Sequence, residues 1–157
     1  MEQITASEKE TLAFGRKIGT LLEPGDVVLL SGEMGAGKSV LARGIAAGLG
    51  IEGPIPSPSF TILNLYETGR CTLCHFDFYR LSGAGELYEA GLDEFIPAPG
   101  GVAVIEWPEK APDALPEQAI RIRILGDGES RRILVNAGSR LEAALANEIA
   151  REGKEKA

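Results

Sequence analysis

The segment Gly32-Glu-Met-Gly-Ala-Gly-Lys38-Ser39 matches the pattern G-x-x-x-x-G-K-[ST] at every fixed position, and no other feature narrows the possible folds as far. A loop of this kind works between a strand and a helix. Its glycines turn successive backbone N–H groups inward around a phosphate, and the helix adds its positive end to the same spot. Residues 27–30, Val-Val-Leu-Leu, are the short apolar run of a buried, parallel-type strand. Downstream, Leu41, Ile45 and Leu49 recur at helical spacing and predict a helix over residues 38–49. Gly44 and Gly48 each cost that helix about 1 kcal/mol relative to Ala, which close backbone packing against a sheet would offset. Met34, Gly35, Ala36 and Gly37 then supply the nucleotide-binding loop. Lys38 is placed to neutralise the β and γ phosphates, and the Ser39 hydroxyl to ligate Mg²⁺.

The rest of the chain reads as an α/β domain built around that loop. Ser7 and Glu10 form a capping-box pattern, followed by Phe14, Ile18, Leu21 and Leu22 on one helical face until Pro24 and Gly25 end the helix. Pro54, Pro56 and Pro58 mark an exposed loop. Residues 60–66 and 71–78 flank a Glu-Thr-Gly-Arg turn and predict an antiparallel hairpin. Residues 79–96 read as a turn and short helix, and 102–105 as a second apolar strand closed by Glu106. Residues 119–125 and 131–137, joined by Gly-Asp-Gly, read as two more strands, and Leu141, Leu145 and Ile149 mark a last helix. The expected fold is a phosphate-loop NTPase fold, α/β, with a mostly parallel central sheet, added antiparallel strands and flanking helices. It occupies residues 1–157 as one domain, with 151–157 a disordered, solvated tail.

Composition removes several classes of function. The 16 Lys and Arg against 23 Asp and Glu leave a net charge of -7, so no global positive field exists to hold a nucleic acid unaided. No purely apolar run exceeds four residues, far short of a bilayer span, and the first residues show no secretory pattern. A cytoplasmic protein is expected. Cys71-Thr-Leu-Cys74-His75 fits the haem-attachment pattern C-x-x-C-H, but haem attachment goes with export and the match is read as accidental. Two cysteines and one histidine also lack the fourth ligand of a structural zinc site, so buried thiols are the default.

A phosphate loop establishes nucleotide binding, while hydrolysis also needs a carboxylate near the metal and a means of positioning water. Glu106, at the end of an apolar strand, is the first choice for the metal. Asp77 and His75 share one strand face by period-two alternation, either as a nucleotide-responsive pair or as a polar face turned to solvent. Trp107 either packs beside the nucleotide or plugs the core. The Asn-Lys-x-Asp and Asp-x-x-Gly signatures of guanine sites are missing, which favours ATP. A small-molecule kinase and a nucleotide-gated adaptor without essential hydrolysis are the competing functions, and no arginine-bearing lid segment is evident for the former.

Four blocks in order give the chain a family resemblance: the phosphate loop, Ser57-Pro-Ser-Phe-Thr61, His75-Phe-Asp-Phe-Tyr-Arg-Leu81 and Val104-Ile-Glu-Trp-Pro108. The chain resembles the bacterial TsaE (YjeE) family, small ATPases of tRNA threonylcarbamoyladenosine synthesis. The resemblance implies that Ser39 and Glu106 bind Mg²⁺, that the loop bearing Ser57, Ser59 and Thr61 acts as a switch, and that Asp77 supports hydrolysis. It implies that His75 and Trp107 lie near the site and, by position, that Ser7 and Arg131 touch the nucleotide. Ser39 and Ser59 stand where the family usually has Thr, with the hydroxyl kept. The partners it implies are TsaB and TsaD, with tRNA reached mainly through their complex and ATP with Mg²⁺ as the cofactor.

Overall fold

The computed structural model describes residues 1–156. Its elements run β1 (Glu2–Thr5), α1 (Glu8–Leu21), β2 (Val27–Ser31), α2 (Lys38–Gly48), β3 (Leu63–Tyr66), β4 (Thr72–Asp77), α3 (Gly85–Ala90), β5 (Gly101–Glu106), β6 (Ile120–Asp127), β7 (Ser130–Asn136) and α4 (Gly138–Lys156). The strands form one seven-stranded sheet in the order β1-β7-β6-β2-β5-β4-β3. Its centre is parallel: β2 pairs with β5 and β6, and β4 with β5. Both margins are antiparallel, through β3 on β4 at one side and β6, β7 and β1 at the other.

The apolar runs do what their burial on both faces requires. Val28, Leu30, Val104 and Ile122 pack toward Phe14, Ile18, Leu41, Ile45, Leu141 and Leu145. Val27, Leu29 and Ile105 point the other way, into a smaller cluster with Phe76, Phe78, Leu81 and Leu87. That second cluster covers the β2-β5-β4 side. Arg121 and Arg123 project into solvent from β6, on the one strand face their alternation predicts.

Several expectations are corrected. The backbone that comes close to Gly44 and Gly48 belongs to α1, not to a sheet. A Cβ on Gly15 would lie 2.6 Å from the Leu41 carbonyl oxygen, one on Gly19 would lie 2.9 Å from the Gly48 Cα, and Cβ atoms on Gly44 and Gly48 would collide with the Leu12 and Arg16 carbonyls. The two helices therefore meet backbone to backbone through paired glycines. The first strand of the hairpin begins only at Leu63, because the chain before it turns, with Ile62 at a φ of 69°. Residues 151–156, expected as a tail, continue α4, and Ala157 lies outside the described residues. The edge strand β1 has no counterpart in the sequence reading. Cys74 is fully buried and Cys71 half-buried, both as free thiols, and burial pushes the Cys74 thiol pKa up. Among the described residues no helix is long and apolar enough to cross a membrane.

Candidate functional site

The glycine-rich loop leaves β2 and enters α2 at Lys38, whose N-cap is Gly37. Gly35 and Gly37 hold φ angles of 81° and 107°, a region that only glycine enters at little cost, and these turns set the loop's N–H groups. The Lys38 ammonium is 6% exposed and donates to the carbonyls of Gly32 and Glu33. It also lies 3.9 Å from the centroid of the Trp107 ring, a cation–π contact. Burial pushes its pKa below the usual lysine value, opposed by the carboxylates of Glu106, Glu109 and Asp77. Trp107 achieves its position from a left-handed backbone, φ 56° and ψ 49°, which costs a bulky residue on the order of 1–3 kcal/mol.

The two acids reach the same place from neighbouring strands. Asp77 stands opposite Glu106 in the β4–β5 register, and Glu106 stands opposite Leu30 on β2, so both carboxylates emerge at the carboxyl edge of the parallel strands beside the loop. They are 5% and 3% exposed. Glu106 Oε2 lies 2.8 Å from His75 Nε2. Asp77 gathers three donors: Ser57 Oγ at 2.8 Å and Ser59 Oγ at 3.4 Å on Oδ2, and the Tyr79 N–H at 2.9 Å on Oδ1. The proline-rich loop is thus tied to the end of β4 by one carboxylate. Of the two readings left open for His75 and Asp77, the solvent-facing one is excluded, since both are buried.

A cleft of about 510 Å³ opens over these groups. Lys38, Ser39, Asp77 and Glu106 line it together with Ser57, Ser59 and Trp107, and Met34, Gly35, Gly37 and Arg131 complete its loop side. Arg131 donates to the carbonyls of Gly128 and Ser130 at 2.6 and 2.8 Å and to Gly35 at 3.5 Å, so it braces the loop. Ala36 is buried and faces a second groove of about 530 Å³, which shares Met34 and Trp107 with the first.

Besides Ala36, three expected residues stand apart from the cleft lining. Ser7 caps α1, its Oγ accepting from the Glu10 N–H at 3.1 Å, and the neighbouring Glu8 is the residue that reaches the cleft. Thr61 donates to Asn64 Oδ1 at 3.1 Å. His75 lies beneath Glu106. Tyr79 was not singled out by spacing, yet it lines the cleft with its ring 5.0 Å from that of Trp107. Its only sequence signal was membership of the His-x-Asp-x-Tyr-Arg block.

The Ser39 hydroxyl and the Glu106 and Asp77 carboxylates are hard oxygen donors of the kind Mg²⁺ takes. Among the described residues no group of three or more His, Cys, Asp and Glu side chains is arranged to hold an ion unaided. The donor set fits an ion held jointly with substrate phosphates.

Residues 5–134 match the family described as Threonylcarbamoyl adenosine biosynthesis protein TsaE. The chain belongs to the TsaE family. A tRNA threonylcarbamoyladenosine biosynthesis protein TsaE of Treponema pallidum is 42% identical over 137 residues, covering 86% of this chain and 99% of that one. The protein of the same name from Bacillus subtilis is 36% identical over 149 residues, 94% of this chain and 92% of that one. The crystal structure of Bacillus subtilis YdiB matches with a TM-score of 0.77 at 32% identity, across 98% of this chain and 95% of that chain. The TsaE family is a phosphate-loop NTPase family, so the expected fold and the family resemblance both hold.

Proposed function

We propose that this chain binds ATP with Mg²⁺ and hydrolyses it as the ATPase component of tRNA threonylcarbamoyladenosine formation. In this reading it acts in the cytoplasm with TsaB and TsaD to sustain repeated threonylcarbamoyl transfer. The observation that carries the reading is the convergence of Lys38, Ser39, Asp77 and Glu106 on one cleft at the carboxyl edge of the parallel strands. The names of the relatives supply the pathway.

The loop N–H groups and Lys38 would bind the terminal phosphates, and Trp107 keeps the ammonium in place from above. Ser39 and Glu106 would hold Mg²⁺, which when bound neutralises charge as the phosphoryl group departs. Asp77, anchored by three donors, would orient the attacking water. Arg131 reaches the cleft with its two terminal nitrogens engaged by main-chain carbonyls. A missing transition-state cation costs about three to five orders of magnitude, so slow hydrolysis by the chain alone is expected, with faster hydrolysis once a partner supplies one.

The decisive experiment combines calorimetry with phosphate release. Magnesium-dependent binding of ATP, phosphate release without any acceptor, and loss of that release in Glu106→Ala are expected. Transfer to a metabolite with negligible hydrolysis would overturn the ATPase reading in favour of a kinase. Multiple-turnover tRNA modification unchanged by Glu106→Ala would make the chain an adaptor.

A further inference from the structure

His75 poses a question that the nucleotide chemistry leaves unanswered. It is 2% exposed, and its Nδ1 is the one buried side-chain nitrogen or oxygen among the described residues without a hydrogen-bond partner. An apolar side chain of similar size would fill the same place without stranding a polar atom, so the imidazole must act through its other nitrogen. That nitrogen, Nε2, lies 2.8 Å from Glu106 Oε2.

The protonation follows from the partners. An ionised carboxylate only accepts, so Nε2 carries the proton. The carboxylate thus sets which ring nitrogen donates.

Register explains why the pair can act on the cleft. His75 pairs with Val104, and Asp77 with Glu106, one pleat further on, so His75 stands on the same sheet face as Glu106 and deeper. Asp77 and Glu106 are adjacent buried carboxylates, and without a restraint their mutual repulsion would favour swinging Glu106 away. Among the described residues Glu106 Oε1 has no hydrogen-bond partner, and Glu106 lines the cleft.

We infer that His75 is a positioning residue: its Nε2–H pins Glu106 Oε2 from below, so that Oε1 is presented to the metal and water of the nucleotide site. The inference rests on the nucleotide reading given above and assigns this side chain a role within it.

His75 is the only histidine in the chain, so isotopically labelled histidine gives a single imidazole signal that needs no assignment. In the free full-length protein Nε2 is expected to carry a proton. A proton on Nδ1 alone would overturn the inference. In calorimetry with ATP, His75→Leu should raise the Mg²⁺ concentration needed for half-maximal metal-dependent binding by about 10–100-fold, and leave binding measured in chelator unchanged. His75→Gln, whose amide nitrogen falls near the Nε2 position, should recover most of that loss. An unaltered Mg²⁺ dependence in His75→Leu overturns the inference. Equal damage in both variants with metal-free binding also lost makes His75 a structural residue and likewise overturns it. Should His75→Leu fail to fold, His75→Gln decides: near wild-type Mg²⁺ dependence supports the role, and a shift of about 10–100-fold refutes it. A wild-type chain that binds no nucleotide sinks the site reading and the role together. That failure is distinguishable because the tautomer is read without ligand.

Discussion

Asp77 joins the proline-rich loop to the cleft through one side chain. Its Oδ2 holds Ser57 and Ser59 of the proline-rich loop and its Oδ1 holds the Tyr79 N–H, so any movement of that loop is felt by the carboxylate that faces the cleft. The same three bonds also fix its rotamer, which is what a water-orienting group needs. Asp77→Asn keeps the size and the acceptor for Tyr79 but removes the charge. Phosphate release should fall by about 10²–10⁴-fold while the variant still binds ATP with Mg²⁺. Single-turnover phosphate release beside calorimetry measures both, and a wild-type rate would remove Asp77 from the chemistry. The left-handed backbone of Trp107 is an unfavourable choice for a tryptophan, and it coincides with the contact with Lys38 and the tilted ring contact with Tyr79.

Between elements, the joint of α1 and α2 is the feature that most directly sets the phosphate loop, because α2 begins at its lysine. Gly15 and Gly19 on one helix and Gly44 and Gly48 on the other let the backbones touch, and every one of these positions leaves a Cβ without room. Ala would favour the helix by about 1 kcal/mol at such a site. Here the atoms met are main-chain carbonyls and Cα atoms, which cannot step aside as a flexible side chain can. Gly44→Ala should therefore destabilise the protein by about 1–3 kcal/mol, the usual range for overpacking, in spite of its better propensity. Gly153, in α4, meets nothing within 4 Å of a built Cβ, and Gly153→Ala should stabilise by about 0.5 kcal/mol. Urea melts of the two variants compare the same substitution in two surroundings. A stabilised Gly44→Ala would mean that the helices are not held this closely in solution.

Across the whole molecule, what could be read from sequence divides along a physical line. The parallel centre was legible because strands buried on both faces need continuous apolar runs, and residues 27–30 and 102–105 supply them. The meeting of Lys38, Ser39 and Glu106 in one cleft was legible because a phosphate-loop motif has fixed spacing and the acid closes an apolar strand. The edge strand β1 was not, since its only buried residue is Thr5 and it exists through its ladder to β7. Nor was the glycine contact, because a helical glycine announces close approach without naming the neighbour. The partnership of His75 with Glu106 needed the register of two strands 31 residues apart in sequence. Net charge likewise acts through the summed field of the protein. A net charge of -7 opposes a phosphate polymer, and the exposed arginines of the open β6 face, Arg121 and Arg123, are two. A contact through both would give log affinity a slope against log salt of only about -2, since each neutralised phosphate contributes roughly -0.9 in a duplex and less in a single strand. The chain alone should therefore retain tRNA weakly at low salt and lose it near physiological ionic strength, and Arg121→Glu with Arg123→Glu should abolish the residual binding. Filter binding across a salt series measures this. Tight, salt-resistant retention by the isolated chain would place tRNA recognition on this molecule.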